Sequence, residues 1–409
     1  MPGVVYLEEL IPKFSGVDKA LAFLQARFLP AGMLAKGKTD DIAAIIFSSG
    51  STGEPKGVEL THWNLLSNMD AVAQVYPVGP SDVMLGILPF FHSFGFGYNL
   101  WFPLLNKFPV VFHPNPNDAK TIGELSEKYG ATFLLSTPTF AAGYARKCTK
   151  EQFSKIRYVL VGAEKLRPAV AQQFEEKFGI RMHEGYGCTE MAPVVSVNGP
   201  DFVSDDPAQS SQLGFKFESV GRPLPGVSLR FVDPATLEPV PYGQEGMLLV
   251  KGPSRMRGYL KQPERTQKAL IDGYYSTGDM ARLDDEGFLY ITGRLSRFSK
   301  IGGEMVPHLK VEECLQEIME DATCLVMGVP DAQRGERLVV LHTHPSLTAA
   351  EMVEHLNVAG LPALWIPKPN QFFQVEAIPT LGTGKTDLRK STDLAIELAS
   401  KVRQTAAVE

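Results

Sequence analysis

Short apolar segments alternate with helical patterns from about residue 40 to residue 200, and this alternation limits the fold more than any other feature. Repeated strand–helix units favour an α/β layer with a largely parallel sheet, because each helix returns the chain to the same edge of the sheet. The segments that predict strands are 83–88, 110–113, 133–136 and 158–161. The segments that predict helices are 62–76, 118–129 and 168–178.

The pattern changes twice further along the chain. From about 213 to 293, short strands separated by Gly/Pro turns predict a β-rich part. Beyond Arg294 the pattern is that of a smaller α+β region, with helices near 309–319 and 348–357 and strands at 324–329 and 337–342. We therefore predict a large domain, 1–293, which ends in the β-rich part, and a small C-terminal domain, 294–409.

One loop is dense in groups that bind phosphate. Residues 48–57 contain three glycines, four hydroxyl side chains and one lysine, directly after the apolar run 42–47, which we predict to be a buried strand. Glycines let backbone N–H groups surround an anion, hydroxyls donate to its oxygens, and a lysine adds positive charge. The alternative is a flexible linker. The residues expected to hold a polyphosphate are Ser48, Ser49, Gly50, Ser51, Thr52, Gly53 and Lys56.

This loop is not a Walker motif. That motif needs a Gly-Lys-Ser/Thr run, whereas Glu54 and Pro55 separate Gly53 from Lys56. Near the C-terminus, Gly384 begins a Gly-Lys-Thr run, but Pro379 stands where the first Walker glycine should be. The loop therefore belongs to another kind of ATP chemistry.

Composition excludes some classes and permits others. A net charge of -6 and a pI near 5.8 argue against a nucleic-acid surface. Four cysteines without a CxxC pair favour reduced thiols in a cytoplasmic protein. The uncharged segment 83–106 is long enough to span a membrane, but Pro89 and Pro103 argue against a spanning helix. Its aromatic residues suit the wall of an apolar pocket instead.

Three further motifs carry polar groups. Tyr186, flanked by glycines, can lie beside a planar ligand, and Glu190 offers an oxygen ligand for Mg²⁺. Asp279 is predicted on a tight turn, a common device for binding ribose hydroxyls. Lys385 follows a Gly-x-Gly tip. Taken singly, each of these is more often an ordinary turn or surface loop.

Taken together and in this order, the motifs resemble the adenylate-forming superfamily of acyl- and aryl-CoA synthetases, nonribosomal adenylation domains and luciferases. The resemblance runs from about residue 42 to the end of the chain. A finer resemblance is to the synthetase part of bifunctional acyl-ACP synthetase/2-acylglycerophosphoethanolamine acyltransferases. The segments that carry this finer resemblance are 88–95, 162–166, 184–187 with 192–196, and 297–306.

The resemblance implies roles for single residues. The phosphate loop would hold the β- and γ-phosphates of ATP, Thr189 the α-phosphate, and Glu190 a Mg²⁺ ion. Lys385 would bridge the substrate carboxylate and the α-phosphate. His92 would gate the acyl pocket, with a core histidine as the alternative. The remaining nucleotide-binding residues would be Gly162, Ala163, Glu164, Tyr186, Gly187, Asp279 and Arg294.

The resemblance also implies a reaction in two steps. A fatty acid carboxylate attacks the α-phosphate of ATP, which gives acyl-AMP and pyrophosphate, and a thiol then attacks the acyl carbonyl. The thiol belongs to acyl carrier protein or CoA. Most family members have an acidic hinge residue between the two domains, where this chain has Arg297. A basic hinge followed by Phe298 favours acyl carrier protein, and the C-terminal domain is expected to rotate there.

A second departure from the family lies at the front of the chain. Only 47 residues precede the phosphate loop, whereas the family has a full α/β subdomain there. We therefore expect a truncated fragment of a longer protein, which could be membrane-associated at the inner face or fused to an acyltransferase. The acyltransferase motif itself, a His followed four residues later by Asp, is absent from the sequence.

Two other functions compete with a fatty acid ligase. The chain could be a nucleotide- or carrier-binding remnant without turnover. It could also be an amino-acid adenylation domain, which would need an acidic residue to bind the substrate amine. The segment 83–106 contains no such residue.

Overall fold

The computed structural model describes residues 10–29, 37–49, 55–204, 210–319, 322–331, 333–380 and 386–405. The chain divides into two units, Met1–Asp41 and Ile42–Glu409. In the first unit, helix α1 (Gly16–Phe28) begins at Ser15, whose hydroxyl accepts from the Asp18 N–H while the Asp18 carboxylate accepts from the Ser15 N–H. This reciprocal capping satisfies two backbone donors that a helix start leaves free.

The second unit contains the remaining helices and strands. Its described helices are α2 (His62–Val75), α3 (Ser93–Gly95, a π-helical Phe96–Trp101, and Phe102–Asn106), α4 (Ala119–Tyr129), α5 (Pro138–Lys147), α6 (Pro168–Phe178), α7 (Pro263–Ala269), α8 (His308–Gln316), α9 (Ala349–Val358) and α10 (Leu388–Thr405). Its described strands are β1 (Ile42–Ser49), β2 (Pro55–Thr61), β3 (Met84–Gly86), β4 (Val110–Phe112), β5 (Phe133–Ser136), β6 (Tyr158–Val161), β7 (Met182–Gly187), β8 (Val194–Val197), β9 (Arg222–Pro223), β10 (Ser228–Val232), β11 (Gly246–Lys251), β12 (Gly258–Tyr259), β13 (Leu270–Ile271), β14 (Tyr274–Leu283), β15 (Leu289–Arg294), β16 (Phe298–Ile301), β17 (Glu304–Pro307), β18 (Cys324–Asp331), β19 (Gly335–His342) and β20 (Phe372–Gln374).

A seven-stranded sheet carries the predicted strand–helix alternation. Its order is β4-β3-β5-β6-β7-β8-β9; β4 to β7 pair in parallel, and β8 and β9 are antiparallel. Helix α6 shows why the elements begin and end where they do: Pro168 opens it, and Gly179 ends it at a φ of 72°. The prediction of an α/β fold with a largely parallel sheet is confirmed.

The predicted buried strand at 42–47 is only half correct. Strand β1 exists, but it lies at the edge of a three-stranded antiparallel sheet of order β1-β2-β12. Ile46 is buried, whereas Phe47 is 63% exposed and Ile42 and Ile45 are also exposed. An apolar run can therefore form a strand with one uncovered face, and the run alone does not reveal which faces are covered.

The β-rich part predicted at 213–293 forms a five-stranded sheet. Strands β10, β11, β14 and β13 pair in that order, and β15 pairs with β14. Beyond it, another five-stranded sheet of order β17-β16-β19-β18 has β20 in parallel with β19. Helix α8 packs on this second sheet over a separate apolar core, which includes Val311, Leu315 and Val340. The boundary at 293/294 stays a prediction.

No helix among the described residues combines the length and the apolar character needed to cross a membrane. The segment 83–106, considered above for a spanning helix, is instead divided between β3 and the irregular helix α3.

Candidate active site

Tyr186, Asp279 and Arg294 form one connected group. The Tyr186 hydroxyl donates to Asp279 Oδ2 over 2.5 Å, and Arg294 Nε lies 3.1 Å from Asp279 Oδ1. The pairing of β14 with β15 sets Asp279 opposite Arg294. Burial raises the pKa of Asp279, and the Arg294 guanidinium opposes that shift. The group offers oxygen and nitrogen atoms suited to the hydroxyls of a sugar.

Asp279 does not lie on a tight turn, as the sequence predicted. It lies within the ten-residue strand β14, directly after Gly278, whose φ is 72°. The Ser-Thr-Gly-Asp pattern resembles a turn because glycine and aspartate are common there. Here the antiparallel pairing with β15 carries the strand through it.

Glu190 follows β7 and is buried, 6% exposed. Its Oε1 accepts a hydrogen bond of 2.8 Å from the Tyr259 hydroxyl. Neighbouring Thr189 lies within hydrogen-bond distance of Ser93, with 3.2 Å between the two hydroxyl oxygens. Sequence reasoning missed both Tyr259 and Ser93 as site residues, because each is distant along the chain from the group it contacts.

Lys56 stands at the start of β2, opposite Ser48 of β1. Its Nζ lies 5.0 Å from the centre of the Tyr259 ring. Burial lowers the pKa of Lys56, and the negative charge of Glu190 acts in the opposite direction. Of the predicted phosphate-loop residues, Gly50, Ser51, Thr52 and Gly53 lie outside the described residues, as does Lys385. Ser48 and Ser49 end β1.

The segment after β6 contains three of the predicted nucleotide-binding residues, Gly162, Ala163 and Glu164. Gly162 is buried and comes so close to β7 that a Cβ there would lie 3.3 Å from the Gly185 carbonyl. Ala163 has a φ of 70°, and Glu164 accepts a 2.6 Å hydrogen bond from the Thr139 hydroxyl. The structure thus brings Gly162 next to the strand that carries Tyr186 and Gly187, both predicted nucleotide-binding residues.

The Glu184 side chain holds the end of the segment 162–166 through a hydrogen bond. Its Oε1 accepts a 2.9 Å hydrogen bond from the Leu166 N–H. Burial raises the pKa of Glu184 to about 7. No sequence motif indicated a role for this carboxyl, although it lies two residues before Tyr186.

His92 precedes α3, and its Nδ1 accepts from the Phe94 N–H over 3.3 Å. The Phe94 ring reaches within 3.8 Å of where a Gly162 Cβ would lie. The aromatic residues of 83–106 do not form one continuous wall, since Tyr98 and Phe102 are in the core while Phe91 is 72% exposed. His92 itself is half-buried, between these two extremes.

Arg297, the predicted hinge residue, is buried in the structure, 7% exposed. Its guanidinium forms an ion pair with Glu312 of α8. The same Glu312 oxygen accepts from the Val326 N–H over 2.5 Å. An arginine side chain usually lies at the solvated surface, whereas tertiary packing here buries Arg297.

The chain resembles known proteins over most of its length. The AMP-binding enzyme family matches residues 10–260. A long-chain-fatty-acid–CoA ligase from Bacillus subtilis (strain 168) is 34% identical over 300 residues, 72% of this chain and 51% of the relative. A feruloyl-CoA synthase from Amycolatopsis is 30% identical over 362 residues, 87% of this chain and 69% of the relative.

Solved structures agree with these sequence matches. ATP-bound MatB from Rhodopseudomonas palustris has a TM-score of 0.78 at 28% identity and covers 89% of this chain and 70% of its own. MenE from Bacillus subtilis, solved with ATP and magnesium ion, has a TM-score of 0.75 at 24% identity, a likeness in fold, and covers 87% of this chain and 70% of its own.

The chain spans about half the length of the Bacillus ligase and about two thirds of the feruloyl-CoA synthase. The matched region 10–260 includes Lys56, Tyr186 and Glu190, while Asp279 and Arg294 lie beyond it. The chain belongs to the AMP-binding enzyme family, part of the adenylate-forming superfamily.

Proposed function

We propose that this chain uses ATP to activate a fatty acid as acyl-AMP and then transfers the acyl group to a thiol. The observation that carries the proposal is that four charged side chains lie near one another. Tyr259 contacts both Lys56 and Glu190, and Arg294 pairs with Asp279. Besides burial, the charges of Glu190 and Arg294 both act on the pKa of Lys56 and on the pKa of Asp279. A lysine, an arginine and two carboxylates at one place suit a magnesium nucleotide.

Each group has a part in binding ATP. Asp279 accepts from the ribose hydroxyls, while Tyr186 and Arg294 hold the Asp279 carboxylate in place. Lys56 neutralises the pyrophosphate that leaves, and Thr189, held by Ser93, donates to the α-phosphate. The protein's contribution is positioning and charge stabilisation.

The residues present fit a magnesium ion. Glu190 supplies a buried carboxylate, a hard oxygen ligand of the kind that Mg²⁺ prefers. The described residues contain no cluster of three or more His, Cys, Asp or Glu residues that could hold a metal on their own. Mg²⁺ in nucleotide sites commonly uses one or two carboxylates plus substrate phosphates. Bound there, the ion would neutralise charge on the phosphates.

Both steps balance without a further reagent. A carboxylate oxygen of the fatty acid bonds to the α-phosphorus, and the bond from that phosphorus to pyrophosphate breaks. The thiol sulfur then bonds to the acyl carbon, AMP leaves with the bonding electron pair, and the thiol proton goes to solvent or buffer. Lys385 is proposed to bridge the carboxylate and the α-phosphate in the first step.

The acid and the acceptor are inferred from different sources. A fatty acid is supported by the long-chain-fatty-acid–CoA ligase from Bacillus subtilis and by similar ligases from Salmonella and Escherichia coli. These relatives favour CoA as the acceptor, whereas Arg297 followed by Phe298 favours acyl carrier protein by resemblance. We propose CoA as the favoured thiol acceptor and acyl carrier protein as the alternative. The relatives lend no support to a fused acyltransferase.

The test is fatty-acid-dependent ATP–pyrophosphate exchange, followed by acyl transfer to CoA and to acyl carrier protein across a series of chain lengths. We expect exchange with the chain alone and thioester formation with one acceptor. Tight ATP binding without exchange would support the binding remnant instead. Lys385→Ala should abolish exchange but spare thioester formation from supplied acyl-AMP; equal loss of both would contradict its role.

A further inference from the structure

Tyr259 connects the predicted metal ligand to the predicted phosphate-binding lysine. Its hydroxyl donates to Glu190 Oε1 over 2.8 Å, and its ring lies 5.0 Å from Lys56 Nζ. The two contacts use different parts of one side chain, the hydroxyl for the carboxylate and the ring face for the cation. Tyr259 is 5% exposed and Glu190 6%, so the contact between the hydroxyl and the carboxylate is shielded from water.

Two hydrogen bonds and one strand pairing fix the backbone around Tyr259. The Tyr259 N–H donates to the Thr266 hydroxyl over 2.9 Å, and the Leu260 N–H donates to the Gly57 carbonyl over 2.8 Å. Strand β12 also pairs with β2, the strand that begins beside Lys56. The tyrosine is therefore tied to the same hairpin as the lysine that it contacts.

Glu190 makes a second hydrogen bond with the segment that contains Tyr259. Its backbone carbonyl accepts from the Met256 N–H over 2.7 Å, three residues before Tyr259. A hydroxyl on one carboxylate oxygen fixes the rotation of the carboxylate and leaves the other oxygen as a ligand atom. Partners of this kind orient metal ligands, and their loss weakens metal binding in other proteins.

We propose that Tyr259 is a positioning residue that orients the Glu190 carboxylate for the metal–nucleotide complex and holds Lys56 beside it. This rests on the proposed function, since it takes Glu190 as the metal ligand and Lys56 as a phosphate ligand. The metal and the triphosphate thereby meet a preset pair of charges, which reduces the reorganisation needed on binding.

Two substitutions separate the two contacts. Tyr259→Phe keeps the ring under Lys56 but removes the hydroxyl, and we expect Mg·ATP to bind about tenfold more weakly. ATP binding in EDTA should be unchanged, because Lys56 keeps its place. Tyr259→Leu removes both contacts and should weaken ATP binding in EDTA as well. Calorimetry with and without Mg²⁺ measures these affinities, and Mn²⁺ binding followed by electron paramagnetic resonance gives a readout independent of turnover.

Tyr144→Phe is the matched control. It also removes a hydroxyl from a buried tyrosine, one that donates to the Pro116 carbonyl over 2.7 Å, and it should leave both affinities unchanged. Glu190→Gln with and without Tyr259→Phe gives the coupling between the two side chains: the tyrosine substitution should have little further effect on Mg·ATP affinity once the carboxylate is gone.

The outcomes are distinguishable. If Tyr259→Phe changes the affinity with and without Mg²⁺ by the same factor, or changes neither, the positioning role is wrong. If the wild type binds Mg·ATP with the expected dependence on Tyr259 but performs no fatty-acid-dependent exchange, only the proposed function fails. A wild type that does not bind Mg·ATP overturns both.

Discussion

At the scale of single residues, the site is built from charges that are already partnered. Asp279 receives the Tyr186 hydroxyl and faces Arg294, and Glu190 receives the Tyr259 hydroxyl. A buried carboxylate without such partners would be costly. These partners therefore orient both carboxylates before a nucleotide binds.

Asp279→Asn tests this arrangement. The amide keeps the shape but loses the negative charge that Arg294 and the ribose hydroxyls need, so ATP and AMP should both bind about tenfold more weakly. Pyrophosphate affinity should not change, since pyrophosphate has no ribose. Competition binding measures all three. Asp272→Asn, which affects only an exposed pair with Arg230, is the control. Unchanged AMP affinity in Asp279→Asn would contradict the role.

Glu184 makes folding stability depend on pH. Its pKa rises from 4.5 to about 7 on folding, because it is buried. Between these pH values the folded chain keeps a proton on Glu184 that the unfolded chain releases. The contribution of Glu184 to the free energy of unfolding therefore falls by about 3 kcal/mol as pH rises from 4.5 to 7. Below 4.5 the contribution is fully present.

Comparison with Glu184→Gln isolates this effect, because the amide oxygen can still accept from the Leu166 N–H. Burial lowers the pKa of His183 to about 4, so protonation of His183 destabilises the fold on acidification. This effect is the same in the wild type and the variant, and it cancels in the difference between their unfolding free energies. Denaturant unfolding from pH 4.5 to 8 should show the wild type losing stability relative to the variant as pH rises. A pH-independent difference would show that the carboxyl does not titrate in this range.

At the scale of elements, the junction between β15 and β16 is anchored on two sides. Leu295 and Phe298 pack against the small core of the β-rich sheet, which includes Met247 and Met280. Arg297, between them, pairs instead with Glu312 of α8. A rotation at this junction would therefore leave Arg297 with α8 and break the contacts of its neighbours.

Arg297→Met should destabilise the region after residue 298 by about 3–5 kcal/mol, because it leaves Glu312 buried without a counter-ion. Denaturant unfolding measures the loss. Arg230→Met removes an arginine from an exposed pair, with Asp272 76% exposed, and should cost less than about 1 kcal/mol. Similar losses of unfolding free energy in the two variants would contradict the larger cost predicted for breaking the buried Arg297–Glu312 pair.

At the scale of the whole molecule, one ion pair joins the nucleotide-binding segment to α8. Lys165 Nζ lies 2.5 Å from Glu313 Oε1, and Lys165 follows directly after Glu164. Both side chains are largely exposed, so the pair adds less than about 1 kcal/mol to stability. Since it adds so little to stability, we expect it to influence the orientation of the proposed C-terminal domain instead.

Glu313→Gln should therefore leave the unfolding free energy within about 1 kcal/mol of the wild type while changing the distance between labels placed on α6 and α9. Resonance energy transfer measures that distance, and 1 M salt should bring the wild type close to the variant, since salt screens exposed charges. Glu397→Gln, which breaks the exposed pair with Lys401 inside α10, removes an equal charge and should change nothing. Equal responses of the two variants would refute the orienting role.

The sequence by itself determined those helices and strands whose ends depend on interactions between neighbouring residues. The bounds of β5, β6 and α6 match the prediction, because apolar periodicity and terminal Pro and Gly residues act over a few neighbouring positions. The ordered motifs likewise determined the family, since each is a short stretch with its own chemistry. Tertiary structure decided what distant segments do to one another. The 69-residue separation of Glu190 and Tyr259, the burial of Arg297 and the open face of β1 all depend on which surfaces meet, and no local pattern encodes that.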